Sequence, residues 1–174
     1  MKNVRILTTA GMLLAISVVL GFFKIPITEI IELRFAFLPI ACGGMLFGPV
    51  IGGIMGVLSD LLGYIVRPTG PFFPGFTISA GVQGLIYGLI LYKKPVSVRR
   101  IVAAQLADTI AVSLILNPIW LSILYQQAFT VVFATRIIKT AIMFPINTLL
   151  LMAILKPANR FRTNFIRKAD SASE

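Results

Sequence analysis

The sequence contains no histidine and a single cysteine, Cys42. Without histidine the chain lacks the commonest metal ligand and proton shuttle, and a single cysteine cannot form an intrachain disulfide. Acidic residues are also scarce, with 6 Asp and Glu against 16 Lys and Arg. The sequence has no Walker-type phosphate loop, and no predicted span carries two close carboxylates. We therefore expect no catalytic site, no metal site and no cofactor.

Hydrophobic residues dominate what is present, at 57% of 174 residues, with a mean hydropathy of +0.94. A water-soluble domain of this composition would expose too much apolar surface. At about 20 apolar residues per span, the chain has room for about six transmembrane helices. The net charge of +10 would suit a nucleic-acid binder, but the cations are distributed among apolar runs and do not form one polar face. We predict an all-α integral membrane protein with no nucleic-acid partner.

Six apolar runs predict the spans. They cover residues 6–23, 35–47, 50–66, 76–92, 101 to about 117, and 137–155. Asn117-Pro118 is predicted to interrupt or end the fifth span, and residues 119–135 are interpreted as an interfacial or re-entrant extension. Three prolines predict a stiff loop over residues 67–75. We assign residues 1–156 to one membrane domain and 157–174 to a basic, then polar, cytoplasmic tail that frays.

The basic residues predict the orientation. The N-terminus, the 93–100 loop and the C-terminal tail together hold 11 of the 16 Lys and Arg residues. The positive-inside rule makes these segments cytoplasmic, so both termini are expected on the cytoplasmic side of a bacterial cell membrane. The remaining cations are expected at or near the outer end of the helix bundle, on the side opposite the cytoplasm. They are Lys24, Arg34, Arg67, Arg136 and Lys139.

Polar and aromatic side chains from several spans converge on this outer region. Arg136 and Lys139 lie one turn apart on one helix face, and like charges so placed repel unless an anion neutralises them. Phe72 and Phe73 in the stiff loop can stack on a flat ring or close over it. A carboxylate such as Asp60 can accept paired N–H donors from an aminated heterocycle. Together these features favour a planar, nitrogen-rich ring attached to an anionic tail.

A purely structural alternative exists for several of these residues. Asp60 would then pair with Arg67, Gln83 would bridge helices, and Trp120 would belong to the aromatic belt at the membrane surface.

Small residues at every fourth position, as in Gly52 and Gly56, indicate close helix packing. Gly11 and Ala15 repeat this spacing on the first helix, where a small-residue stripe would equally dock a partner subunit.

Several motifs carry a resemblance to a known family over about residues 5–156. They are Arg34-Phe35-x-Phe37-Leu38-Pro39, Gly48-Pro49, Ser59-Asp60-Leu61-Leu62-Gly63, Gly70-Pro71-Phe72-Phe73-Pro74-Gly75-Phe76-Thr77, Leu116-Asn117-Pro118-x-Trp120-Leu121, and Arg136-Ile137-Ile138-Lys139 with Pro145-Ile146. The chain resembles the substrate-binding S components of energy-coupling factor (ECF) vitamin transporters, and these motifs look like the folate-specific branch. The resemblance implies a six-helix bundle like that of the S components, with structured outer loops. It also implies that the protein is not an enzyme.

The resemblance also implies a function and its partners. The protein would capture folate or a reduced folate from outside and associate with a transmembrane coupling subunit and two cytoplasmic ATPases. ATP hydrolysis by those partners would topple it within the membrane and release the vitamin inside. The family's coupling face includes the first helix, which places Gly11 and Ala15 at the docking surface.

The residues and the resemblance agree on the character of the ligand, because folate joins a planar pterin through an aromatic linker to a glutamate tail with two carboxylates. We hypothesise that Arg136 and Lys139, with Arg34 or Arg67, hold the tail. Residues expected to address or stack on the pterin are Asp60, Gln83, Asn117, Phe72, Phe73 and Trp120. The alternatives are an S component for another vitamin, riboflavin above all, a stand-alone small membrane carrier, or an integral membrane enzyme.

Overall fold

The computed structural model describes residues 2–26, 32–66, 68, 72–126 and 129–170. Within these ranges the backbone is almost entirely helical. The helices are α1 Lys2–Phe22, α2 Phe37–Phe47, α3 Pro49–Val66, α4 Pro74–Leu91, α5 Val98–Asp108, α6 Asn117–Tyr125 and α7 Phe129–Asp170, with a π-helical segment, Thr109–Leu116, joining α5 to α6. Two antiparallel strands, β1 Lys24–Pro26 and β2 Glu32–Arg34, form a small hairpin after α1.

Six apolar helical stretches account for the membrane region. Four are long and apolar enough to cross a bilayer, namely Pro49–Val66, Pro74–Leu91, Val98–Tyr125 and Val132–Asn159, and two shorter apolar helices are Ile6–Phe22 and Phe37–Phe47. Large apolar side chains such as Leu7, Ile65 and Leu149 are mostly exposed on the outside of the bundle. A surface of this kind suits contact with lipid tails. The predicted all-α, six-helix membrane fold is confirmed.

Glycines let α3 and α4 pack backbone against backbone. A Cβ atom at Gly84 would collide with the carbonyl oxygen of Gly52, and one at Gly56 would collide with the carbonyl oxygen of Ala80. Only glycine permits so close an approach between helices. At the turn before α3, Gly48 has a φ of +101°, which glycine adopts without steric cost. The interpretation of these spacings as internal packing is confirmed.

The apolar core fills one half of the bundle, where α2, α4, α5 and α7 meet. Its fully buried members include Met45, Tyr87, Leu91, Ile101, Leu151 and Leu155. These positions fall late in α4, early in α5 and near the middle of α7, so the core closes that end of the bundle. The opposite half, built from the other ends of the same helices, is left for a cavity.

The helix that carries the fifth span does not end at Asn117-Pro118. Helical backbone runs from Val98 to Tyr125, so the prediction that the span ends at this dipeptide is wrong. The alternative of an interruption is closer, because regular α-helix gives way to the π-helical segment Thr109–Leu116 and resumes at Asn117. The amide of Asn117 donates to the carbonyl oxygen of Val112, five residues earlier. Such a local π pattern lets a proline sit inside a membrane helix, because the freed backbone groups find other partners.

Three other predicted boundaries move. Residues 119–125 continue the fifth span and residues 129–135 begin α7, while residues 127 and 128 lie outside the described residues. The stiff loop ends at Phe73, because Pro74 starts α4 in the first-turn position that proline tolerates. The expectation that the tail frays from Lys156 onward is wrong for residues 156–170. There α7 continues through Pro157, helped by alanine, arginine and lysine of high helix propensity.

Candidate substrate-binding site

A cavity of about 550 Å³ occupies the half of the bundle opposite the core. Its volume lies within the range of roughly 300–1,000 Å³ that is typical of small-molecule sites. Every helix contributes at least one side chain to its wall. Examples in chain order are Ser17, Phe37, Asp60, Gln83, Asp108, Val112, Asn117 and Arg136. The cavity is therefore a feature of the whole bundle and not of one pair of helices.

The structure brings most of the predicted site residues to this cavity. Those that line it are Asp60, Phe72, Phe73, Gln83, Asn117, Arg136 and Lys139. Trp120 does not line the cavity directly but contacts residues that do. The backbone of Arg34 lies in β2 opposite Lys24, and its side chain, like all of Arg67, is outside what the structure describes.

Arg136 and Lys139 place two positive charges on the cavity wall. Both side chains are partly buried on α7, and both line the cavity. Charges inside a pocket with apolar walls are screened less than charges on an open surface, so their attraction for an anion is stronger. Met143 and Asn147, which follow at helical spacing on α7, also line the cavity. One face of α7 thus presents cations and then an amide to the cavity.

Asp60 links α3 to α4 at the cavity wall. Its Oδ2 atom accepts a hydrogen bond of 2.8 Å from the hydroxyl of Thr77. The Asp60–Arg67 pair offered by the sequence involves a residue outside the described part of the chain. Gln83 lines the cavity. Its Nε2 atom also donates to Asp108 Oδ2 at 3.2 Å, which bridges two helices as the structural alternative predicts.

Aromatic contacts fix the segment that precedes α4. The rings of Phe73 and Trp120 lie 5.8 Å apart, and those of Phe72 and Tyr64 lie 5.1 Å apart. The indole Nε1 of Trp120 donates to the hydroxyl of Ser79 at 3.0 Å. Contacts inside the protein therefore hold Trp120, which is not explained by membrane-surface placement alone. The two ring contacts hold Phe72 and Phe73 over one side of the cavity.

A buried polar network lies at the inner end of the cavity, and apart from Gln83 its members were not among the predicted site residues. Asp108 is only 4% exposed, and its Oδ2 atom lies 3.2 Å from Gln83 Nε2 and 3.5 Å from the hydroxyl of Tyr87. The same hydroxyl donates to Gln105 Oε1 at 2.9 Å. The signal that indicates this site was present in the sequence, since an acidic residue in the middle of a span is expensive and usually functional.

The small residues of α1 lie on its outer surface. Gly11 and Ala15 are both exposed, while Ser17 is fully buried. The Ser17 hydroxyl contacts the carbonyl oxygen of Ala36 and the hydroxyl of Ser59, each at 2.7 Å. A Cβ atom at Gly11 would meet nothing within 4 Å. Unlike the glycines of α3 and α4, this stripe is not used for packing inside the described part of the chain.

Comparison with known proteins gives matches along nearly the whole chain. The family model for the ECF transporter, substrate-specific component, matches residues 5–155. The folate transporter FolT of Clostridium novyi (strain NT) is 42% identical over 160 residues, which cover 92% of this chain and 93% of the relative.

Solved structures agree with the sequence matches. A crystal structure of FolT bound with folic acid matches with a TM-score of 0.76 and 36% identity, covering 84% of this chain and 89% of that one. The S component of a bacterial ECF transporter matches with a TM-score of 0.63 and 29% identity, covering 90% of this chain and 98% of that one. The chain belongs to the family of ECF transporter substrate-specific components, and it is a multi-pass membrane protein.

Proposed function

We propose that this protein is the folate-binding subunit of an ECF transporter. The observation that carries the proposal is a single cavity that combines two cations on α7 with aromatic side chains and a polar inner end. Folate offers a matching set of groups, namely carboxylates, an aromatic linker and a pterin rich in N–H donors. The similarity to FolT, one example of which was solved with folic acid, supports the same ligand.

The lining residues divide into two groups by their chemistry. Arg136 and Lys139 bind the glutamate tail, because guanidinium and ammonium groups form strong charge-assisted hydrogen bonds with carboxylates. Phe72 and Phe73 provide flat apolar surface for the aromatic parts of the ligand. Trp120 supports Phe73 from behind. Asn117 on α6 supplies an amide that can both donate and accept hydrogen bonds.

In the proposed cycle the protein captures folate or a reduced folate outside a bacterial cell membrane, with both termini in the cytoplasm. It then associates with a transmembrane coupling subunit and two cytoplasmic ATPases, and ATP hydrolysis by these partners drives reorientation and release inside. The exposed stripe of Gly11 and Ala15 is the proposed contact with the coupling subunit, since small residues let helices approach closely in lipid.

Ligand binding can be measured directly through Trp120, the single tryptophan of the chain. Because the indole packs on Phe73 at 5.8 Å, a ligand in the cavity is expected to change its fluorescence. Titration of the purified protein with folic acid should give a saturable change with one ligand per chain, and thiamine should give none. Equilibrium dialysis checks the stoichiometry independently. Saturable binding of riboflavin without binding of folic acid would overturn the folate assignment and keep the family.

Docking can be tested by enlarging the α1 stripe. Gly11→Leu fills space that is open in the isolated chain, so the fold should tolerate it while close approach of a partner helix is blocked. We expect copurification with the ATPase subunits to fall at least tenfold, a loss of ~1.4 kcal/mol or more. Ala103→Leu enlarges another exposed small residue on a different helix and should copurify normally. Undiminished copurification of Gly11→Leu would exclude this contact. Transport in liposomes by this chain alone would instead favour the stand-alone carrier.

A further inference from the structure

Basic side chains gather at the end of the bundle that the apolar core closes, away from the cavity. They are Lys93, Arg99, Arg100 and Lys156. The two carboxylates whose side chains the structure describes, Asp60 and Asp108, both line the cavity in the other half. Asp108 is the nearer of them along the chain, and it follows Arg100 on α5 by about 12 Å of helix. Neither described carboxylate therefore neutralises this basic end.

Arg100 differs from the other members of the cluster because part of its charged group is buried. Its Nη1 atom is buried and has no hydrogen-bond acceptor within the described part of the chain, whereas Lys93, Arg99 and Lys156 are exposed. A guanidinium group stays charged in proteins, and removing its N–H donors from water without an acceptor is costly. A cation that served only to set the orientation of the chain would stay in water. Arg100 therefore indicates a bound anion.

The first turn of α5 holds Arg100 at the edge of the core. The hydroxyl of Ser97, the residue before the helix, accepts a hydrogen bond from the backbone N–H of Arg100 at 3.4 Å. The next residue, Ile101, is fully buried in the core, and its N–H donates to the Ser97 carbonyl oxygen at 3.1 Å. The cap and the core thus fix the backbone on both sides of Arg100. Its side chain is only partly buried, so an anion can approach it from outside the bundle.

The apolar surroundings indicate which anion fits. Val98, in the same turn of α5, is 44% exposed, and Leu89, near the end of α4, is 56% exposed. Exposed apolar side chains beside cations match a phospholipid, which presents acyl chains next to a charged headgroup. Basic pockets between membrane helices on the cytoplasmic side bind such headgroups, because the lipids of that leaflet are partly anionic. A free phosphate ion would use the cations and leave the apolar surface uncovered.

We propose that Arg100 binds the phosphate of an anionic phospholipid, with Lys93, Arg99 and Lys156 contributing positive charge at the same end of the bundle. The inference goes beyond the proposed function, because it assigns a second binding site, for a lipid, outside the cavity. It places this lipid in the leaflet that faces the proposed cytoplasmic side.

Native mass spectrometry of the full chain in an uncharged detergent counts bound lipid directly. Titration with dioleoyl phosphatidylglycerol should show one retained lipid, bound roughly tenfold or more tightly than dioleoyl phosphatidylcholine, whose choline group cancels the phosphate charge. Arg100→Gln should weaken phosphatidylglycerol binding about tenfold or more, because hydrogen bonds between charged groups are lost. Arg99→Gln is the matched control. It removes the same charge from an exposed neighbour and should weaken binding less than about threefold.

Three results would overturn the proposal. Equal losses in Arg99→Gln and Arg100→Gln would indicate a diffuse surface charge, and equal retention of the two lipids by the wild type would exclude an anionic headgroup site. Displacement of phosphatidylglycerol by inorganic phosphate at an equal concentration would identify a free anion as the ligand.

A second variant decides if Arg100→Gln yields no folded protein. Arg100→Lys keeps the charge and the apolar stem but loses the planar donor fork that matches a phosphate. Binding of phosphatidylglycerol weakened about threefold or more in this variant supports the site, with Arg99→Lys as its unaffected control. Unchanged binding in Arg100→Lys overturns the proposal.

Discussion

Replacing Arg136 and Lys139 together by glutamine is expected to weaken folate binding at least 100-fold. Each cation can form a charge-assisted hydrogen bond with the glutamate tail, worth about 1.5–3 kcal/mol, and roughly 1.4 kcal/mol corresponds to a tenfold change in affinity. Glutamine keeps much of the side-chain length and some donor capacity, so the loss reports charge rather than packing. The measurement is a titration of Arg136→Gln/Lys139→Gln with folic acid, followed by tryptophan fluorescence and equilibrium dialysis.

Two comparisons make this result specific. Lys156→Gln removes an exposed cation from the same helix outside the cavity and should bind folic acid like the wild type. A pterin without the benzoylglutamate tail should bind the double variant and the wild type to within about threefold, since the ring does not use these cations. Equal losses for folic acid and for the tail-free pterin would contradict the assignment of the tail to α7 and would indicate a damaged cavity instead.

Gly84→Ala is expected to destabilise the bundle, because it adds a methyl group where the backbones of α3 and α4 already touch. The new Cβ atom would collide with the Gly52 carbonyl oxygen, and backbone on both sides leaves no flexible side chain to give way. Overpacking of this kind costs up to about 3 kcal/mol, which corresponds to a fall in melting temperature of roughly 6–12 °C for a chain of this size. Thermal unfolding in detergent, followed by tryptophan fluorescence, measures the effect.

Gly63→Ala is the matched control on α3. A Cβ atom at Gly63 would meet nothing within 4 Å, and alanine has the higher helix propensity, so this variant should unfold at or slightly above the wild-type temperature. If Gly84→Ala unfolds at the same temperature as Gly63→Ala, the close approach of α3 and α4 is not required for stability.

The spans could be predicted because the bilayer imposes one strong rule on the sequence. A run of about 20 apolar residues bounded by polar residues marks a membrane-spanning helix, and this rule located the cores of all six spans. It gives no information where a helix leaves the apolar layer. The rule therefore did not predict the helical tail after Lys156 or the continuous helix across Pro118, because both depend on local backbone hydrogen bonding and not on hydropathy.

The outer part of the candidate site was predictable, and its inner part was not. Arg136 and Lys139 stand out because like charges on one helix face need an explanation, and residues at turn spacing share that face. Asp108 was visible as a charge in a span, but its role depends on Gln83 and Tyr87 meeting it from another helix. Such contacts between α4 and α5 come from tertiary packing, which spacing within one helix cannot show.

The π-helical segment between α5 and α6 also determines where this protein tolerates a change in length. A π turn accommodates one more residue than an α turn, so deleting a residue within Thr109–Leu116 can restore regular α-helical bonding without rotating either flank. Asp108 and Asn117 would both still face the cavity. The same deletion within α7, between Lys139 and Asn147, would rotate one of them by about 100° around the helix axis. Natural length variation among folate-binding relatives is therefore expected to concentrate in this wide turn, with the cation-bearing helix held to a fixed residue count.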